Sequence, residues 1–359
     1  VVGMHKHIYI LRLLDWAQEA GAVIRFETPF EDFLLENDRI AGVKFTGGEV
    51  HAEIVADCSG IPAVGRTKLP ASANVENFVL SPEDMFFVIL WYVHYKEKHE
   101  PVNYCHSWPY WKSWEAPQQN PDGAIVGTGA CFSFDYCEKM HREFRKHVKL
   151  PEYEVEKVEK GRTPYHRPLY SFVTDHFIVM GDAACLTNPS TGEGCASSMA
   201  QAEIAADVIG SLAKEGKPLT CENLWPVNKR YQEAQGKAFA SLLATLVNVT
   251  KSSPEENEFM FRKDIVFSRK LFANMEAGLN LTKEETRYMI WTLIGGLLSG
   301  KMSFRTIRSL QKASSDAEAV EKLYDTYPSS PDGFGEWCVR ADSLWKKVGT
   351  IAEGEEKKS

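Results

Sequence analysis

The chain has 359 residues, 44% hydrophobic and 25% charged, a globular composition with room for two domains and a substantial core. Its net charge of −8 excludes a nucleic-acid partner held through phosphates, which needs a basic surface. The longest apolar run, Met85 to Val93, is nine residues, too short to cross a bilayer.

From His5 to Ala20, Ile8, Leu11, Leu14 and Ala17 recur at helical spacing, and Gly21 fits a C-cap. Ala22 to Phe26 then predicts a strand. Phe30 to Leu35 and Ile40 to Phe45 predict a hairpin about Glu36-Asn37-Asp38, and Ile54 to Asp57 a further strand. That strand runs into Asp57-Cys58-Ser59-Gly60, with Gly65-Arg66 beyond it. Between Phe78 and Thr174 the pattern changes. Two β-like stretches, Met85–Tyr95 and Ala124–Phe134, flank a Pro- and Trp-rich loop, and a short helix follows over Tyr136–His147. The loop carries Tyr104, Trp108, Tyr110, Trp111 and Trp114; its aromatics either line a pocket or anchor the loop to the core. Arg162, His166 and Arg167 form a basic cluster that reads first as a solvated surface and second as an anion site.

The segment from Phe177 to Gly194 carries the most chemistry. Phe177 to Met180 is a short buried strand ending at Gly181-Asp182. A loop of small residues with Asn188-Pro189 follows, then Gly192-Glu193-Gly194. A helix opens at Gly194 and runs to Leu212, with Met199, Ala202, Ala205, Ile209 and Leu212 predicted on its inner face. Strand, carboxylate, glycine turn and helix start make a cradle for a polar cofactor. Asp182 can accept from sugar hydroxyls, Gly192 and Gly194 admit a close-lying ring, and the helix N–H groups favour negative charge.

Beyond Thr220 the pattern is helical, over Val227–Val249, Asn257–Ala277, Thr282–Leu298 and Ala317–Tyr327. Ile290 to Gly300 is unusually apolar: core packing is the first reading, a substrate-tunnel cover or a membrane-resting face the others. Eight cysteines include no Cys-x-x-Cys pair, which indicates neither a zinc ribbon nor an iron–sulfur cluster and fits a reducing cytoplasm. No metal site is expected.

Gly181-Asp182-Ala183-Ala184, Asn188-Pro189 and Gly192-Glu193-Gly194 together resemble the second flavin-binding motif of geranylgeranyl reductase and FixC-like flavoproteins, FAD-dependent oxidoreductases of the para-hydroxybenzoate hydroxylase type of fold. The helix–strand–hairpin–strand series ending in Asp57-x-x-Gly60 resembles the middle of the same FAD domain. The resemblance implies that Asp182 meets the ribityl region of FAD, that the Gly-Glu-Gly turn aims its helix at the flavin, and that Asp57 and Gly60 lie near the diphosphate. It implies a mixed α/β fold: a Rossmann-like FAD domain in two parts, 1–77 and 175–220, an antiparallel substrate domain at 78–174, and a helical region at 221–359. The family's amino-terminal Gly-x-Gly-x-x-Gly unit has no match; Gly127-Thr-Gly129 and Gly333-Phe-Gly335 read as strand and loop glycines. Truncation, processing, or supply by another chain would each account for that.

The implied activity is FAD-dependent reduction of an apolar or isoprenoid-like substrate, or electron relay, with reduced nicotinamide or a carrier protein as donor. Peripheral membrane contact stays open. Tyr104, Trp108, Tyr110 and Trp111 are the substrate-side candidates, and no catalytic residue stands out. Two alternatives remain: a flavin-dependent monooxygenase or halogenase, whose Trp-x-Trp-x-Ile-Pro motif is not visible, and a flavin-free homologue that binds a partner.

Overall fold

The computed structural model describes residues 6–37, 39–100, 105–108, 111–118, 120, 122–249, 252–265 and 282–350. The first helix, α1 (Lys6–Glu19), stands where its spacing predicted, but none of its residues is buried. Ala22–Phe26 is not a strand. No described strand runs beside it, and Val23 and Phe26 are exposed, so its backbone has nothing to pair with. The hairpin forms as predicted, from β1 (Phe30–Glu36) and β2 (Arg39–Phe45), with Asn37 at a positive φ and Asp38 outside the described residues. An unforeseen β3 (Gly48–His51) extends it to a three-stranded meander.

β4 (Val55–Asp57) pairs in parallel with β11 (Phe177–Val179), and β10 (Val173–Thr174) adds antiparallel to β11. Parallel strands this far apart in sequence need a long crossover, here the whole antiparallel layer. Val179 lies opposite Asp57, so the sites after both strands open at the same carboxyl edge, where α/β sheets bind ligands.

The antiparallel layer has the order β6-β7-β8-β5-β9. Its members are β5 (Met85–Tyr95), β6 (Cys105–Trp108), β7 (Trp111–Pro117), β8 (Gly123–Cys131) and β9 (Tyr153–Pro164). The aromatic "loop" is therefore a strand pair, and β9 was hidden because its alternating charges belong to an exposed edge. One face of the layer is covered by α2 (Phe134–His147): Phe87 meets Phe134 edge-on at 5.0 Å, and Trp91 meets His141 at 4.6 Å. A buried polar chain crosses the same face, Ser113 to Thr128 at 2.7 Å and Thr128 to His141 at 3.0 Å.

The helical region comprises α3 (Cys195–Glu215), α4 (Cys221–Tyr231), α5 (Lys237–Val249), α6 (Pro254–Arg262), α7 (Lys283–Leu298), α8 (Phe304–Tyr324) and α9 (Phe334–Val348). A π-turn, Gln232–Gly236, joins α4 to α5. α8 begins at its Ser303 cap, well before the expected start at Ala317. Gly333, expected in a loop, caps α9 at φ +77°. The main core joins Phe33, Phe177, Val179, Leu186, Trp225, Tyr231 and Trp337 into one cluster, so the flavin-motif strands and the terminal helices share an interior. A satellite core of Met260, Ile265 and Met302 holds α6, α7 and the start of α8.

Candidate flavin site

Asp182 sits in a short 3-10 turn, Gly181–Ala184, directly after β11. Gly181 enters the turn at φ +62°, where a side chain would be strained, and donates its N–H to Gln201 Oε1 at 3.2 Å. Gln201 also donates to the Val179 carbonyl at 3.0 Å. One buried amide therefore fixes both the end of the strand and the start of the turn. The Asp182 carboxylate is half-buried and accepts one side-chain hydrogen bond, from Thr187 Oγ1 at 2.9 Å. Burial raises its pKa, opposed by the Thr187 hydrogen bond and by Lys6.

The Gly192 bend, at φ +79°, lets the chain fold back: Gly192 N–H reaches the Asn188 carbonyl and Asn188 N–H the Glu193 carbonyl, each at 2.9 Å. Pro189 is buried beneath this loop and Glu193 is exposed. Gly194 begins α3 without any side-chain cap, so the first-turn N–H groups keep their positive end toward the surface. A Cβ at Gly194 would lie 3.0 Å from Thr187 Oγ1 and 3.1 Å from Asp182 Oδ1. Asp182 and the Gly-Glu-Gly bend are thus in contact, and Glu193, Cys195 and Ala196 around the helix mouth are exposed.

Asp57 behaves differently. It is 6% exposed, and both carboxylate oxygens are saturated by their own loop. Oδ1 accepts from Ser59 N and Oγ at 2.9 and 2.6 Å; Oδ2 accepts from Gly65 N and Arg66 N at 3.0 and 2.7 Å. Such a carboxylate has no acceptor left for a ligand. It shapes the loop, while Gly60, at φ +73°, supplies the turn. Arg66, fully buried, ties this loop to the Asp182 turn by donating to the Ala183 carbonyl at 2.9 Å. The basic cluster is not the solvated surface expected. Arg167 is buried and grips Glu76 in a two-pronged pair at 2.6 and 3.1 Å, while Arg162 is exposed.

The antiparallel layer turns its other face to the Asp182–Gly194 loop. Phe86, Val88, Leu90, Trp114 and Ile125 alternate onto it and are only half-buried. Gly127 and Gly129 form its floor, where a Cβ would strike the Trp114 ring at 2.3 Å and the Phe86 ring at 2.2 Å. Lys112 crosses from this face and donates to the Thr191 carbonyl at 2.8 Å, inside the Asp182–Gly194 loop. Trp111, paired with Ala130, belongs instead to the face packed on α2. Trp114, not Trp111, therefore faces the loop. Trp108 ends β6 opposite Trp111, and Tyr104 and Tyr110 lie outside the described residues. Sequence reasoning missed Thr187, Gln201 and Lys112; the i, i+4 pair Ser197 and Gln201 on the inner face of α3 was the available signal. That face is Ser197, Gln201, Ile204, Ala205, Val208 and Leu212, and the expected Met199 and Ala202 are exposed. Among the described residues no cluster of side chains could hold a metal ion, and no helix is long and apolar enough to cross a membrane.

The donor set fits the flavin half of FAD. Asp182 accepts one side-chain hydrogen bond, from Thr187, and the α3 start has no side-chain cap, a pairing of carboxylate and helix N–H groups whose chemistry would suit a polar, electron-rich cofactor. Comparisons with known proteins agree. Residues 129–274 match the model of the lycopene cyclase protein family. The chain is 25% identical to the digeranylgeranylglycerophospholipid reductase of Sulfolobus acidocaldarius, over 95% of this chain and 77% of that protein. Its fold is similar to that of a geranylgeranyl bacteriochlorophyll reductase-like protein from Thermoplasma acidophilum, with a TM-score of 0.63, 16% identity, and 85% and 74% of the two chains covered. A flavin-dependent brominase, Bmp2, shares the fold at a TM-score of 0.52, 14% identity, and 78% and 72% coverage. By sequence and fold the chain is thus similar to geranylgeranyl reductase-like proteins, in keeping with the resemblance carried by its Gly181–Gly194 segment.

Proposed function

We propose that the protein reduces carbon–carbon double bonds of an isoprenoid lipid at the half-buried face of its antiparallel layer. Bound FAD, once reduced by the electron donor, would supply the hydride there, and a proton would complete the saturation. The observation that carries this reading is the link from Lys112 to the Thr191 carbonyl, which holds the apolar face of Phe86, Val88, Leu90 and Trp114 over the Asp182–Gly194 loop. Those side chains exclude water from an apolar chain, while Asp182 and the α3 start orient the cofactor by polar contacts. Trp114 and Phe86 form the wall nearest the loop, and Gly127 and Gly129 let both rings lie flat on the sheet.

We further propose a reduced nicotinamide or a carrier protein as electron donor, a cytoplasmic location, and peripheral contact with the membrane that stores the lipid. Residues 1–77 with 175–220 form the cofactor unit in this reading, and 78–174 the substrate unit. The test is the visible spectrum of the purified full chain, followed by anaerobic incubation with a chemical reductant and a geranylgeranyl lipid. Flavin bands and a product heavier by two hydrogens per double bond support it. A colourless protein, or a product that forms only with oxygen and halide, would overturn it.

A further inference from the structure

The apolar segment Ile290–Gly300 is core on one side only. α7 packs inward through Met289, Leu293 and Gly296, where a Cβ on Gly296 would strike Met302 at 2.6 Å and Phe259 at 2.7 Å. Its outward side is also apolar: Ile290, Trp291, Ile294 and Leu298 are 49, 66, 40 and 83% exposed, and Phe304 just beyond is 69% exposed. Spaced at i, i+1, i+4 and i+8, the four helical residues form one stripe. A contiguous exposed stripe with a Trp, a Leu and a Phe marks an interaction surface, since scattered single exposures are the ordinary case.

The charges beside the stripe identify the partner. Lys283, Arg287, Lys301, Arg305 and Arg308 flank the stripe along the chain, against Glu284 and Glu285 in the same stretch, in a chain whose net charge is −8. Glu285 is committed to the capping box with Thr282. Arg287, Lys301, Arg305 and Arg308 are exposed and have no ion pair among the described residues. An apolar stripe rimmed by uncommitted cations on an otherwise acidic protein matches a surface that is greasy inside and anionic at its boundary. We infer that α7 and the turn into α8 dock on the headgroup boundary of an anionic phospholipid membrane, with Trp291, Ile294, Leu298 and Phe304 entering the acyl region. Since no described helix is long and apolar enough to span, the contact lies in the plane of the interface. This gives the proposed lipid reduction a place of access without depending on the flavin chemistry.

Co-sedimentation of the full chain with phosphatidylcholine vesicles, with and without phosphatidylglycerol, tests the inference. Binding is expected only with the anionic lipid, falling as salt rises. Arg305→Ala and Arg308→Ala should each weaken it roughly fivefold. The pair Trp291→Ser and Leu298→Ser should weaken it at least about tenfold. Quenching of wild-type tryptophan fluorescence by bromine-labelled acyl chains, reduced in Trp291→Phe, reports insertion without any disruptive change. Sedimentation that ignores headgroup charge, variants that bind like wild type, or absence of quenching would each overturn it. So would a wild-type mass in vesicle-free solution that halves in the Trp291→Ser/Leu298→Ser chain, since the stripe would then join two copies. These vesicles contain no isoprenoid and turnover is not measured, so failure here leaves the reductase reading standing, and a colourless protein leaves the docking result standing.

Discussion

Two aspartates end neighbouring parallel strands, yet they do opposite work. Asp57, closing β4, spends every acceptor on its own loop, while Asp182, after β11, accepts one side-chain hydrogen bond, from Thr187, and lies beside the start of α3. The same residue type at equivalent ends of one sheet thus splits into a structural role and, for Asp182, the ligand-binding role proposed above. The loop downstream of each aspartate separates the two. After Asp57 come Ser59 and the Gly65-Arg66 amides, which fold back to donate. After Asp182 comes a loop that closes through Asn188 and leaves the carboxylate aside.

The largest effect should come from breaking the structural member. Asp57→Ala strands the buried Gly65 and Arg66 N–H groups and releases the two Ser59 donors, and should cost about 4 kcal/mol of stability by urea unfolding, since bonds to a charged acceptor contribute heavily. A loss under about 1 kcal/mol would show that the loop holds without it. Next is Glu76→Gln, which leaves buried Arg167 without its counter-charge and should cost about 3 kcal/mol at neutral pH. Glu76 has its pKa held down by Arg167 and by the Tyr170 N–H, despite burial. Its contribution is present above the ordinary carboxylate range and is lost as pH falls through the depressed value. The gap between wild type and variant should therefore narrow in acid, and a pH-independent gap would contradict the pairing.

Breaking the member proposed to bind the ligand should leave the fold intact and loosen only the grip on the cofactor. Asp182→Ala should weaken FAD binding about tenfold to a hundredfold by titration of the apoprotein, while its unfolding midpoint moves little. Gly194→Ala sharpens the point at smaller amplitude. Its methyl meets Thr187 Oγ1 and Asp182 Oδ1 near 3 Å, so the carboxylate must shift by a few tenths of an ångström. FAD affinity should drop about three- to tenfold, and an unchanged affinity would mean that Asp182 does not touch the cofactor.

The strand–turn–helix arrangement of the candidate site was legible because its signals are local: a strand, a carboxylate, glycines at two turns and a helix start, all within Phe177–Gly194. What was not legible depends on register. Whether Trp111 or Trp114 faces the loop is decided by the β6–β7 pairing, and a one-residue change of phase reverses it. The inner face of α3 was misread because an Ala-rich helix gives little apolar contrast, and its buried positions include the polar Ser197 and Gln201. α7 was misread for the converse reason. An apolar helix reads as core, and only the structure reveals which side has nothing described packed on it.

The subtlest prediction turns on the charge of Asp182 itself. Burial raises its pKa, so the folded apoprotein holds that proton more tightly than the unfolded chain does. Stability therefore falls as pH rises from the ordinary aspartate value through the raised one, and stays lower above it. Asp182→Asn removes that penalty while keeping the shape. The flavin-stripped variant should be slightly more stable than wild type at neutral pH, by less than about 1 kcal/mol, and its thermal midpoint should vary less across the acid range. FAD affinity should fall in the same variant, because an amide offers the ribityl hydroxyls a weaker acceptor than a carboxylate does. Greater apo stability together with weaker binding is the signature of a residue kept for its ligand at the fold's expense. If Asp182→Asn instead lowered apo stability, Asp182 would belong with Asp57, and the contrast between the two strand ends would collapse.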